Sequence, residues 1–312
     1  MAGGAGERRH LLDVDDLGPE DLERVLETAR SFSEVMRRPI KKVPSLRGKT
    51  VVNLFYEPST RTRLSFEVAA KRLSADVLNF TASTSSVEKG ESLKDTALTL
   101  RAMGVDAVVI RHPVAGAPWL LRRWLDVTVL NAGDGMHAHP TQALLDLFTM
   151  RERLGGLEGK TIAYVGDILH SRVARSGFKA CLAMGMKVLA VAPPTLLPPV
   201  VPEGVEVSYD LDEVIPRCDV LYMLRVQKER LLEGRFPSPQ EYSRYYQLNM
   251  ERLRAARPGV VVMHPGPMNR GMEISSEVAD APHAAINAQV AAGVAVRMAV
   301  LFLLLGTGER GD

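Results

Sequence analysis

The sequence predicts an α/β protein of two doubly wound parallel-sheet domains joined by helices, with the C-terminal helix returning to the first domain. Three observations predict it. Short, continuously apolar runs alternate with helical periodicity along most of the chain, as strands covered on both faces of a parallel sheet do. The alternation runs twice, on either side of a glycine-rich junction at Gly155, Gly156 and Gly159. The 312 residues are enough for two domains of ordinary size.

Element by element, residues 19–38 read as an amphipathic helix. Leu22, Val25, Leu26, Ala29, Phe32 and Met36 fall at helical spacing, and Pro19 suits the first turn. Strands follow at 50–56, 76–80, 106–110 and 127–130, with helices at 61–73, 92–103 and 118–125 between them. A helix over 140–154 leads into the junction. The second series places strands at 161–165, 187–191, 205–208, 220–224 and 260–263, again with helices between, and the proline-rich segment 193–202 reads as a loop. The expected division is therefore residues 1–140 with helix 286–312, and residues 141–285. In such sheets ligands bind at the carboxyl ends of the strands.

Residues 286–305 are apolar and nearly long enough to cross a bilayer. Asn287, Gln289 and Arg297 interrupt them, and a central arginine is costly in lipid, so a buried helix is expected and no membrane role. The net charge of +2 carries no basic excess that would advertise a nucleic-acid partner. Residues 1–6 lack the apolar core of a secretory signal. Cys181 and Cys218 stand in apolar surroundings and are expected to be buried free thiols, which fits a reducing, cytoplasmic setting.

The chemistry concentrates first at Glu57-Pro58-Ser59-Thr60-Arg61-Thr62-Arg63, where a strand ends and a helix begins. Three hydroxyls, two guanidinium groups and the free N–H groups of a helix start make an anion cradle. A serine-capped helix with surface arginines is the plainer reading of any one of these residues. The nucleotide-binding Gly-x-x-x-x-Gly-Lys-Ser/Thr pattern is absent, so ATP is not the evident phosphate donor. His137 and His139 lack the H-E-x-x-H arrangement and an acidic cluster, so no metal is expected.

The Pro58–Arg63 motif resembles the phosphate motif of the aspartate and ornithine carbamoyltransferase family. Further blocks of that family follow in order: Lys89-Gly90-Glu91-Ser92, Arg111-His112-Pro113, His139-Pro140-Thr141-Gln142 and His264-Pro265-Gly266-Pro267. The resemblance implies binding of carbamoyl phosphate through Ser59, Thr60, Arg61, Thr62, Ser85, Arg111, His139, Gln142, Gly266 and Pro267. Amine attack on a carbamoyl carbon builds negative charge on the carbonyl oxygen, so donors aimed at that oxygen are the expected device. By resemblance Thr62, Arg111 and His139 supply them, with Arg61 and Lys89 completing the catalytic set. No cofactor is implied, and no covalent intermediate is needed, since phosphate is already a competent leaving group.

The acceptor half is read from charge. Aspartate brings two carboxylates and calls for arginines, and Arg172 and Arg225 stand just past predicted strand ends. The block Arg225-Val226-Gln227-Lys228-Glu229-Arg230 resembles the aspartate members of the family, implying that Lys89, Arg172, Arg225 and Gln227 bind L-aspartate. The Asp-x-x-x-Ser-Met-Gly and His-Cys-Leu-Pro patterns of the ornithine members are absent. The implied product is N-carbamoyl-L-aspartate, an early intermediate of pyrimidine biosynthesis.

The resemblance further implies a homotrimer with shared active sites, Ser85 and Lys89 reaching into the neighbouring subunit; Ser83 and Ser86 stand close by. Asn269-Arg270-Gly271 looks like members that associate with other pathway enzymes, leaving open a dihydroorotase or regulatory-chain partner. Two other readings stand beside this one: a silent scaffold that keeps the fold, and a transferase for another amino acid.

Overall fold

Among the described residues nine strands form two sheets, and every strand pairs with its neighbours in parallel. The computed structural model describes residues 10–81, 91–227 and 238–306. The chain divides into two compact units, Met1–Leu145 with Ala291–Asp312, and Asp146–Val290.

In the first unit β1 (Thr50–Phe55), β2 (Asp76–Thr81), β3 (Ala107–His112) and β4 (Thr128–Asp134) lie in the order β2-β1-β3-β4. The helices are α1 (Pro19–Val35), α2 (Thr60–Arg72), α3 (Leu93–Ala102) and α4 (Ala117–Trp124). Gly18 caps α1, with Pro19 at its first position and Glu20 and Asp21 in the first turn, where acidic groups meet the positive end of the helix dipole. Its buried face is Leu22, Val25, Leu26, Ala29 and Phe32. The helix stops at Val35, short of the expected 38, because Pro39 disfavours helical backbone at the residue before it. Val52, Leu54, Val108, Ile110 and Val129 pack with Ala97, Leu100 and Leu121 into one apolar core.

Two expectations needed revision here. Strand burial on both faces holds for β1, β3 and even the edge strand β4, and fails on the other edge strand β2, where Leu78 is 47% exposed. β4 also runs past the expected end at residue 130 to Asp134. Its polar end is satisfied internally, since Asn131 Nδ2 donates to Leu12 O and to Asp134 Oδ1.

The division between units falls within α5 (Pro140–Leu154). The second unit continues with β5 (Thr161–Val165), α6 (Arg172–Ala183), β6 (Lys187–Val191), β7 (Val205–Ser208), α7 (Leu211–Val214) and β8 (Val220–Met223). It closes with α8 (Pro239–Tyr246), α9 (Met250–Arg254), β9 (Val261–Met263), α10 (Ser276–Ala279) and the start of α11 (Ile286–Leu305). Strand order is β7-β6-β5-β8-β9. The proline-rich loop holds one short 3₁₀ turn, Pro194–Leu196. Tyr164 and Tyr222 lie 4.8 Å apart at the centre, and α6 reaches Tyr164 through Gly177, where a Cβ would collide with the tyrosine hydroxyl. Both cysteines are buried and free, as expected.

Within the first unit, α11 buries Ala295, Val296, Met298, Ala299, Val300 and Leu301. Arg297, 3% exposed, lies over the Phe66 ring at 4.9 Å and donates to Gly293 O. The helix is long and apolar enough to cross a membrane by composition. The stacked, hydrogen-bonded arginine shows how it packs as a core helix instead.

Candidate active site

Both sheets reverse their winding direction at a definable point. In the first, β1 and β3 are neighbours while the chain leaves β1 toward β2; in the second, β5 and β8 stand in the same relation. Such switch points open a crevice at the carboxyl ends of the two strands. Ser59–Thr62 and Arg111 follow or end the strands there in the first unit and Arg172, Arg225 and Gln227 follow them in the second, whereas His139 and Gln142 follow β4 and Gly266 and Pro267 follow β9.

In the first unit Ser59 to Thr62 follow β1 and Arg111 ends β3. Tyr56 N donates to Arg111 O at 2.8 Å, tying the two strand ends together. Ser59 is the N-cap of α2, yet its side chain makes no capping hydrogen bond. Ser92, Ser171, Ser238 and Ser275, at the same position of their helices, all accept from a backbone N–H. The serine-cap reading of Ser59 therefore fails. Thr62 is buried in the first turn, and partial burial pushes the Arg61 guanidinium below its ordinary range.

Arg111 sits at an irregularity. Ile110 pairs with Asn131 but His112 pairs with Asp134, so β4 carries one extra residue opposite Arg111. A bulge of this kind re-aims the side chain beside it. The Arg111 side chain donates to Glu57 Oε1 at 2.9 Å. His112 lies against the Tyr56 ring at 4.9 Å and accepts from Val114 N at Nδ1; burial pushes its imidazole below the ordinary 6.5.

The turn that delivers His139 is locked by one buried carboxylate. Asp134 accepts from Asn131 Nδ2 and Ala138 N at Oδ1 and from Gly116 N at Oδ2. Gly135 (φ +50°) donates to His112 O, and a Cβ there would meet Ala115 N at 2.9 Å. His139 and Gln142 are both buried at the start of α5, where Gln142 N donates to His139 O. His137 is held beside Asp134, with 3.3 Å between Nδ1 and Oδ2.

In the second unit Arg172 opens α6 beyond β5, Arg225 and Gln227 follow β8, and Gly266 and Pro267 follow β9: three neighbouring strands. Leu224 N donates to Val165 O, joining the β5 and β8 ends. Gly166 (φ +122°) follows β5 at a point where a Cβ would meet Tyr242 Oη at 2.7 Å. Asp167 then accepts from His170 N and lies 2.8 Å from His170 Nδ1, fixing the turn before Arg172. Past β9, His264 Nε2 is 3.0 Å from Glu273 Oε1 and Nδ1 accepts from Gly266 N.

Residues 9–152 match the family model described as the carbamoyl-P binding domain of aspartate/ornithine carbamoyltransferase, and residues 158–304 match its Asp/Orn binding domain. The chain belongs to the aspartate/ornithine carbamoyltransferase family. The aspartate carbamoyltransferase catalytic subunit of Salinispora arenicola is 59% identical over 306 residues, covering 97% of this chain and 99% of that protein. The corresponding subunit of Thermobifida fusca is 60% identical, covering 96% of each. Among solved structures, the aspartate transcarbamoylase of Trypanosoma cruzi with carbamoyl phosphate and aspartate matches with a TM-score of 0.86 at 32% identity, over 95% of this chain and 96% of that one.

Set against the family blocks, the fold assembles Ser59–Thr62 with Arg111 in one sheet and Arg172 with Arg225 and Gln227 in the other. Ser85 and Lys89 lie outside the described residues, as do Lys228 to Arg230. The residues that sequence reasoning missed are the supports: Glu57, Asn131, Asp134, Asp167, His170 and Glu273. No family block marks them: Glu57 meets Arg111 only through the fold, while Asp134 with Asn131, Asp167 with His170 and Glu273 with Asn269 are pairs close in the chain that become supports only where the fold buries them. Asn269 and Arg270 find internal partners, Asn269 Nδ2 donating to Val226 O and Arg270 forming a forked pair with Asp280.

Proposed function

We propose that this chain transfers the carbamoyl group of carbamoyl phosphate to the amino group of L-aspartate, giving N-carbamoyl-L-aspartate and phosphate. The observation that carries the reading is the pair of switch points, one furnished with Ser59, Thr60, Arg61, Thr62 and Arg111, the other with Arg172 and Arg225. The first set suits a phosphate dianion, and the second suits a dicarboxylate. An ornithine side chain would bring a cation to those same arginines, which disfavours it.

In this reading the α2 N–H groups and the Ser59, Thr60 and Arg61 side chains hold the phosphate. Thr62, Arg111 and His139 donate to the carbamoyl oxygen, and Gln142 with the Gly266–Pro267 backbone holds the carbamoyl NH2. The uncharged aspartate nitrogen attacks the carbon, negative charge grows on the oxygen, and the C–O bond to phosphate breaks as the carbonyl reforms. The departing phosphate can accept the amine proton. Preorganised donors at the oxygen contribute about 3–4 kcal/mol each in acyl transfer. Alignment of two bound substrates can supply about 7–11 kcal/mol. Arg172, Arg225 and Gln227 hold the aspartate.

The working unit in this reading is a cytoplasmic homotrimer, Ser85 and Lys89 of one subunit completing the site of the next, and the product feeds pyrimidine synthesis. The test is ureido-product formation from carbamoyl phosphate with L-aspartate, L-ornithine or no acceptor. Turnover with aspartate alone is expected. Turnover only with another amine would overturn the acceptor assignment, and none with any acceptor would favour the silent scaffold.

A further inference from the structure

A buried chain of hydrogen bonds runs through the second unit and ends on both loops that the proposed site uses. Tyr222 Oη donates to Asp146 Oδ2 at 2.8 Å, Gln289 Nε2 donates to Asp146 Oδ1 at 2.7 Å, and Gln289 Oε1 accepts from His264 N at 3.0 Å. Because Gly266 N–H donates to His264 Nδ1, that nitrogen holds a lone pair and the ring proton sits on Nε2, aimed at Glu273 Oε1. The same carboxylate oxygen accepts from Asn269 N at 2.6 Å, and the Asn269 side chain donates to Val226 O at 2.9 Å. The side chains of His264 and Glu273 are both fully buried.

Glu273 thus branches two ways. Through the His264 ring it holds the segment of Gly266 and Pro267; through Asn269 it holds Val226, flanked by Arg225 and Gln227. We infer that Glu273 is a positioning residue that sets the carbamoyl-side loop and the acceptor-side loop in register, with His264 and Asn269 as its two arms. The inference rests on the function proposed above and deepens it, for none of the three side chains is assigned there to touch substrate. A low-dielectric interior strengthens each link and makes a broken one costly.

One arm can be cut by itself and compared with the loss of both. Asn269→Ala removes the bond to Val226 but keeps the backbone N–H on Glu273. It should raise the KM for L-aspartate about tenfold, with kcat within about threefold and the KM for carbamoyl phosphate unchanged. Glu273→Ala frees both loops and should also lower kcat by about a hundredfold. Glu273→Gln, which keeps a carbonyl acceptor, should recover most of the loss. Amide hydrogen exchange reads the same coupling without catalysis: Asn269→Ala should expose 224–227 while 264–267 keep their protection.

An unchanged aspartate KM in Asn269→Ala, or exchange rising equally in both segments, would overturn the inference. So would losses in all three variants that merely follow their melting temperatures. A wild-type protein that fails to turn over aspartate would instead overturn the function proposed above, and the exchange pattern would still decide whether the two loops are coupled.

Discussion

Arg111 Nη2 donates to Glu57 Oε1 at 2.9 Å, across the carboxyl ends of the adjacent strands β1 and β3. The partners are unequal, since the Arg111 side chain is 11% exposed and that of Glu57 31%. Removing either one therefore has a different consequence.

Glu57→Ala deprives a buried guanidinium of its carboxylate and should lower stability by about 1–3 kcal/mol. Arg111→Ala leaves a carboxylate that water can reach, so its stability cost should be smaller, while turnover falls about 10²–10³-fold with the loss of an oxyanion donor. Urea unfolding and steady-state rates on both variants check this. Equal stability losses, or near-normal turnover in Arg111→Ala, would contradict the arrangement.

Arg225→Ala should act mainly on the amino-acid substrate. Loss of a charge-assisted contact to a carboxylate corresponds to about 10–150-fold in affinity, so the KM for aspartate should rise on that scale while the KM for carbamoyl phosphate holds. Initial rates over both substrate concentrations separate the two. An unmoved aspartate KM would remove Arg225 from the acceptor site.

The proposed sharing of sites between subunits makes a further demand. Lys89→Ala and Arg61→Ala should each be nearly inactive, yet subunits exchanged between them should regain part of the activity, because some mixed sites then take both wild-type residues. Exchange can be followed by native mass spectrometry. Confirmed mixed oligomers without recovery would count against a site completed by a neighbour.

The two thiols give a pH signature. Burial raises Cys181 and Cys218 from the ordinary 9.0 to about 12. The folded protein keeps these protons where the unfolded chain releases them, so the stabilisation is fully present below about pH 9 and is lost as pH rises toward about 12. Replacing both with alanine should flatten the decline between pH 9 and pH 12, measured by denaturant unfolding relative to wild type. An identical slope would show that other groups govern the alkaline limb.

The sequence by itself determined the fold class and made the candidate residues of the phosphate end legible. Periodicity marks a buried parallel strand because both its faces must be apolar. An anion cradle is visible because its hydroxyls, guanidinium groups and helix start are contiguous in the chain. Burial at the edges was not legible, since an edge strand such as β2 looks like a central one until its neighbours are known. Nor could spacing tell that Ser59 leaves its helix uncapped while Ser171 and Ser275 cap theirs.

What only the tertiary structure decided is how the site is supported. Glu57 meets Arg111 at a separation of 54 residues, and Gln289 meets Asp146 at 143. Those contacts depend on which strands become neighbours at each switch point, and that is set by packing of the whole sheet. A buried carboxylate such as Asp134 or Glu273 is an ordinary acidic residue in the sequence. The interior gives it a function, because there every polar group must find a partner and each partner is thereby fixed in place.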